Sequence, residues 1–162
     1  MEQLEKGSIK DLVHYRIETA KSDLQSSIIL PKEGEYRGAN NRAYYAIYHA
    51  ISALHALDGK SYKRHKDTLA NFNRDYVKTE IFPKTFGRRI ARAEEIRHAS
   101  DYDDFYIATK EKAEEQIMTA KELIEHLLGK NYYKLTKNYC IDIIPIYGIL
   151  MSSYENLQFF SC

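Results

Sequence analysis

Ala39–Asp58 reads ANNRAYYAIYHAISALHALD, and the recurrence of its apolar residues decides the fold. Ala43, Ile47, Ala50, Leu54 and Leu57 follow at intervals of four, three, four and three, the period of one helical stripe. Gly59 closes the segment. A second line runs beside the stripe through Arg42, Tyr45, His49 and Ser52. Arg42 and His49 are seven residues apart, so on a helix they lie within about 20° of each other. The stretch carries a packing stripe and, next to it, side chains able to bind phosphate and move protons.

Upstream, Ser8 is expected to cap a first helix, with Asp11 in its first turn. Val13, Ile17, Ala20, Leu24 and Ile28 give that helix its apolar face as far as Leu30. Pro31 ends it and KEGEYRG forms a loop, short enough that antiparallel packing of the two helices is the simplest arrangement. Downstream, Gly59–Lys66 (GKSYKRHK) is a basic loop. A shorter helix is expected over His65–Thr79, with Leu69, Phe72, Tyr76 and Val77 inward. Pro83 opens a fourth helix over Lys84–Ala99, apolar at Phe86, Ile90, Ala93 and Ile96 and basic elsewhere. SDYDDFY, Ser100–Tyr106, breaks the helical pattern. Thr109 caps a last helix that runs to Leu128, with Gly129 after it, along Ala113, Ile117, Ala120, Ile124 and Leu127. The expected fold is all-α, an antiparallel up-and-down bundle of four main helices plus a short one over residues 1–129. Residues 130–162 follow as a C-terminal tail with few charges and no clean period.

A chain of 162 residues can bury a real core as one domain. The aromatic content leans to tyrosine, with 14 Tyr, 6 Phe and no Trp, which suits surfaces that are part core and part binding site. The net charge of +1 points to no partner, so any affinity for nucleic acid has to come from local clusters. Cys140 and Cys162 form no metal or disulfide spacing, which fits a reducing cytosol. No apolar leader and no membrane-length segment is visible, so the expected location is cytoplasmic, with no membrane association.

Three features could carry chemistry. The first is Arg42 with His49: a cation for phosphate and a group that exchanges protons. Such a pair suits RNA cleavage by an adjacent 2′-hydroxyl; a packed histidine and a solvated arginine are the plainer account. The second is IRHASDY, where Arg97, His98, Asp101 and Tyr102 gather at a helix end. There Arg97 could equally cap the helix and pair with Asp101. The third is a basic surface from Lys63 and Arg64 in the loop and Arg88, Arg89 and Arg92 on the fourth helix. The six histidines form no zinc pattern and Asp101, Asp103 and Asp104 no EF-hand, so neither metal nor cofactor is expected.

NNRAYYAIYHAISALHALDG, YKRHKDTLANF and GRRIARAEEIRHASDYDDFY together resemble a HEPN domain, over Ser8–Leu128. The resemblance is to small helical HEPN proteins that accompany a minimal nucleotidyltransferase. It implies a bundle that forms a homodimer, with the site near the twofold. It further implies a metal-independent RNase toxin with the nucleotidyltransferase as antitoxin, acting on RNA through Arg, four to six residues, then His. Asn40 or Asn41 would complete the site, and Tyr102 matches the tyrosine that receives AMP in some pairs. Here Asp101-Tyr102 stands where the histidine after Arg97 is expected. Arg92 to His98 and Arg42 to His49 both keep the spacing, the first out of register and the second on another helix. From the spacing and the resemblance together, the candidate catalytic residues are Arg97, His49, His98 and Arg42, supported by Asn41, Tyr45, Asp101 and Tyr102. A non-catalytic module that docks a nucleotidyltransferase or binds nucleotide or nucleic acid remains the alternative.

Overall fold

The computed structural model describes residues 2–133, with side chains from Ile9 to Gly129. Five α-helices follow in order: α1 Glu2–Ile29, α2 Tyr36–Leu57, α3 His65–Phe72, α4 Lys84–Tyr102 and α5 Lys110–Tyr133. The architecture is the expected all-α bundle, with four long helices and one short one and no strand among the described residues. The tail expected from residue 130 lies, from 134 onward, outside the described residues, as do both cysteines.

α2 is the central rod and packs on α1, α3, α4 and α5. Its expected stripe is fully buried, and beyond it every residue from Ala50 to Leu57 is enclosed. Ala39, Ala43, Ala46, Ala50, Ala53 and Ala56 are all buried. Small side chains at a contact let helix axes approach closely, so several neighbours fit round one rod. Val13, Ile17, Ala20 and Leu24 of α1 and Leu123, Ile124, Leu127 and Leu128 of α5 complete the core.

Several boundaries differ from expectation. Ser8 lies inside α1, because the strong helix formers in EQLEK carry the helix back to Glu2 through Gly7. The loop after Pro31 is mostly ordered. Leu30–Glu33 forms a 3₁₀ turn, Gly34 takes a left-handed φ of 76°, and α2 starts at Tyr36. The segment expected to be helical through Thr79 changes register after Phe72. Asn73–Val77 is a π-helical turn closed by Lys78 N–H to Asn73 O at 2.9 Å. The wider turn brings Tyr76 and Val77 inward, and Tyr76 Oη donates to Asp58 at 2.5 Å. α4 comes close at this turn: a Cβ on Gly87 would stand 2.9 Å from Asn73 Oδ1.

Two further ends matter for the site. α4 does not stop at Ala99 but continues to Tyr102, so Asp101 is one helical turn beyond Arg97. Thr109 does cap α5, its Oγ1 accepting from Lys112 N–H at 3.3 Å, and α5 runs past Gly129. Ile47, on the central rod with no exposed surface, tests the packing. Ile47→Ala should lower unfolding free energy by about 2–5 kcal/mol. Urea denaturation followed by circular dichroism measures it, against a total of about 5–15 kcal/mol for an ordinary domain.

Candidate functional site

The N-terminal half of α2 leaves one side uncovered. Asn41, Tyr45, Tyr48 and His49 are half-buried there, and Arg42 is exposed. α1 borders this side through Arg16 and Asp23, α3 through His65, and α4 through Arg97, Asp101 and Tyr102.

Arg42 and His49 share a face and meet the same carboxylate. Arg42 Nη1 lies 2.9 Å from Asp23 Oδ1. His49 Nε2 lies 3.8 Å from Asp23 Oδ2. Two turns earlier on α1, Arg16 Nη1 donates to the Ser52 carbonyl at 2.9 Å. The polar line of α2 is thereby fastened to α1. Burial pulls the His49 pKa below its usual value, and the nearby Asp23 carboxylate only partly opposes this. Asp23 is the residue that spacing along α2 does not reveal. Its signal lay in α1, where an acidic residue sits at helical spacing between Ala20 and Ser27, all three buried.

Arg97 anchors the other end. Its Nη2 lies 2.9 Å from Asp101 Oδ2 and donates to Tyr45 Oη at 3.1 Å. Asn41 Nδ2 donates to Asp101 Oδ1 at 2.7 Å. Asn41, Asp101, Arg97 and Tyr45 therefore form one circuit between the start of α2 and the end of α4. Just beyond it, Arg37 Nη2 donates to the Tyr106 carbonyl at 2.7 Å. The guanidinium carbon of Arg97 lies 5.8, 5.7 and 5.9 Å from the ring centres of Tyr44, Tyr45 and Tyr102. Burial works against its charge, but the hydroxyl of Tyr45, then Asp101 and Tyr102, outweigh that and raise its pKa. Asn40 is buried, and among the described residues neither its Oδ1 nor its Nδ2 has a hydrogen-bond partner.

His65 joins this group from the first turn of α3; it lies in YKRHKDTLANF, but the sequence assigned it no place in the site. Its ring stacks on Tyr48 with centres 3.9 Å apart, and its Nδ1 is 3.3 Å from Tyr44 Oη. His98, by contrast, is exposed, with its ring centre 4.8 Å from that of Tyr102. The expected basic surface is divided. Lys63, Arg64 and Arg88 are exposed. Arg92 pairs with Glu95 at 3.2 Å. Arg89 instead reaches α5, donating to Thr119 Oγ1 at 3.2 Å and pairing with Glu122. Among the described residues no group of three or more His, Cys, Asp or Glu could hold a metal ion, and no helix is long and apolar enough to cross a membrane.

Removing Asp23 removes the charge that opposes burial at His49. Asp23→Ala should therefore lower the His49 titration midpoint, which in the wild type already lies below 6.5. Imidazole chemical shifts followed against pH read this. His55, buried and bonded through Nε2 to the Thr68 carbonyl at 3.1 Å, is also depressed by burial. For both histidines the unfolded chain binds protons more readily. Their contribution is present above pH 6.5 and is lost as pH falls through the unfolded value toward the folded one. Unfolding free energy should accordingly fall on acidification below pH 6.5.

Comparison with known proteins bears on the whole bundle. The HEPN domain family model matches residues 13–131. A UPF0332 protein of Thermotoga maritima is 31% identical over 114 residues, covering 70% of this chain and 86% of that protein. A protein of Methanocaldococcus jannaschii named "Putative toxin MJ0605" is 29% identical over 127 residues, covering 78% of this chain and 94% of its own. The family match spans α2, α3 and α4 entire and all but the ends of the segment that frames them. The chain belongs to the HEPN domain family.

Proposed function

We propose that this protein is an RNA-directed HEPN protein of the toxin type, a metal-independent endoribonuclease that works as a homodimer with a minimal nucleotidyltransferase as antitoxin. The observation that carries the proposal is the setting of Arg97. Its permanent cation is partly open, walled by Tyr44, Tyr45 and Tyr102, and steadied by Tyr45 and Asp101. A phosphodiester can take the place of the Asp101 carboxylate on the guanidinium fork, one anion exchanging for another. Arg97 then binds the scissile phosphate and offsets the charge that builds in the transition state. Tyr45 Oη keeps the guanidinium oriented while Asn41 holds the displaced Asp101, and Tyr102, 69% exposed, offers a ring for an unpaired base. Arg42 and His49 extend the same surface toward Asp23. Two relatives from Methanocaldococcus jannaschii also carry the word toxin in their names.

A docking module that binds the nucleotidyltransferase, or nucleotide, without cleavage is the second reading. It is favoured by the engagement of Arg97, Asn41, Arg42 and His49 in pairs within the chain. Phe105 and Ile107, 93% and 76% exposed beside Tyr102, add apolar surface for a partner.

Purified protein incubated with tRNA and mRNA in EDTA separates the two. Under the ribonuclease proposal the wild type cuts RNA, and Arg97→Ala loses about 10²–10³-fold in rate, the usual cost of removing a charge-stabilising donor. His49→Ala is assayed beside it, and light scattering should give a dimer mass. Intact RNA at high protein concentration, together with recovery of the nucleotidyltransferase in a pull-down, would favour docking instead.

A further inference from the structure

The proposed ribonuclease needs a proton acceptor near Arg97, and α4 supplies Asp101 where a histidine is expected. Three histidines border the site, and their surroundings differ. His49 faces Asp23 on the α1 side, with Tyr45 next to its ring at 6.3 Å. His98 is exposed beside Tyr102. His65 shares two neighbours with Arg97. Tyr44 lies 6.1 Å and Tyr45 5.9 Å from the His65 ring centre, and both rings flank the Arg97 guanidinium. Stacking on Tyr48 fixes the plane of the His65 ring, and Tyr44 Oη holds Nδ1. Among the described residues Nε2 makes no hydrogen bond.

Resting on the ribonuclease proposal above, we infer that His65 is the catalytic residue that takes the proton from the RNA 2′-hydroxyl, while Arg97 holds the adjacent phosphate. This role takes the tautomer in which Nδ1–H donates to Tyr44 Oη and Nε2 is bare. The 2′-hydroxyl proton passes to Nε2, the P–O2′ bond forms and the P–O5′ bond breaks. The 5′-oxygen takes a proton from water, giving a 2′,3′-cyclic phosphate and a 5′-hydroxyl. His65 then returns its proton to the hydroxide left behind. The charged and titratable groups facing His65 are Arg97 and Glu94 from α4 and Tyr44, Tyr45, Tyr48 and His49 from α2. Burial, then the Arg97 cation, push the His65 pKa down, and Glu94 opposes them. The Tyr44 hydroxyl, its own pKa raised by burial above all, keeps its proton and does not compete as a base.

His65→Phe keeps an aromatic ring on Tyr48 and removes both nitrogens, and a thermal melt checks that it folds. The substrate is a single-stranded oligoribonucleotide, and its all-deoxy counterpart serves as an uncleavable ligand. His65→Phe should cut at least about 10²-fold more slowly than wild type, the lower end for general base catalysis. It should bind the deoxy strand within about threefold, since binding differences of that size are under 1 kcal/mol. The rise of wild-type rate with pH, with a midpoint below 6.5, should vanish in the variant. The deoxy strand should also move the His65 imidazole resonances in wild type and not in Arg97→Ala. Cleavage by His65→Phe within threefold of a wild type that depends on Arg97 overturns the role of His65 and leaves the ribonuclease standing. A wild type that binds the deoxy strand but never cuts RNA overturns both.

Discussion

Six alanines along α2 set the geometry of the bundle. With no long side chain at Ala39, Ala43, Ala46, Ala50, Ala53 or Ala56, α2 can lie among four other helices at once. Its C-terminal half is enclosed on every side, and dispersion contacts there are dense. Its N-terminal half is not enclosed, because α4 ends and α3 begins beside it. Polar and aromatic side chains collect at that opening, and the candidate site is the consequence.

The polar groups at the opening are paired rather than scattered. A buried carboxylate is costly alone, and Asp23 has Arg42 at 2.9 Å and His49 at 3.8 Å. On the other side Asp101 serves Arg97 and Asn41 together. Partial burial works against the charged form of each cation here. It lowers the pKa of His49 and His65, favouring their neutral forms, while at Arg97 close partners outweigh it and raise the pKa. A neutral base and a fixed cation in one opening are what phosphodiester chemistry requires, and perturbed groups gathered in a cleft commonly mark function. The same pairs also stabilise the junction of α1, α2 and α4, so fold and site rest on shared contacts.

The turn at Ser100–Tyr102 has the largest effect on how the family pattern is met. A break after Ala99 would leave Asp101 and Tyr102 on a loop. Continuation of α4 places Asp101 at i+4 from Arg97, within ion-pair distance. Residues just after Ala99 look like a breaker because Ser, Asp and Asp favour turns in isolation. The contact from Asn41 to Asp101 is available only with α2 in place, and tertiary pairing overrides the local preference.

The helical class, the stripe of α2, the apolar faces of α1, α4 and α5, and the family can all be read from the order of residues. All of these are written in periodicities of three and four that each helix needs in order to bury one side. That order also places Arg42 beside His49, since both lie on one rod. What stands opposite them follows from the packing of the helices alone. Asp23, Arg16 and His65 come from other helices, at separations of 19, 36 and 21 residues from the α2 groups they meet. Spacing along one helix carries no information on the rotation or offset of its neighbour, which are fixed by how side chains interlock at the contact. For the same reason the π turn after Phe72 and the diversion of Arg89 onto α5 were not legible. Both answer to packing against a second element.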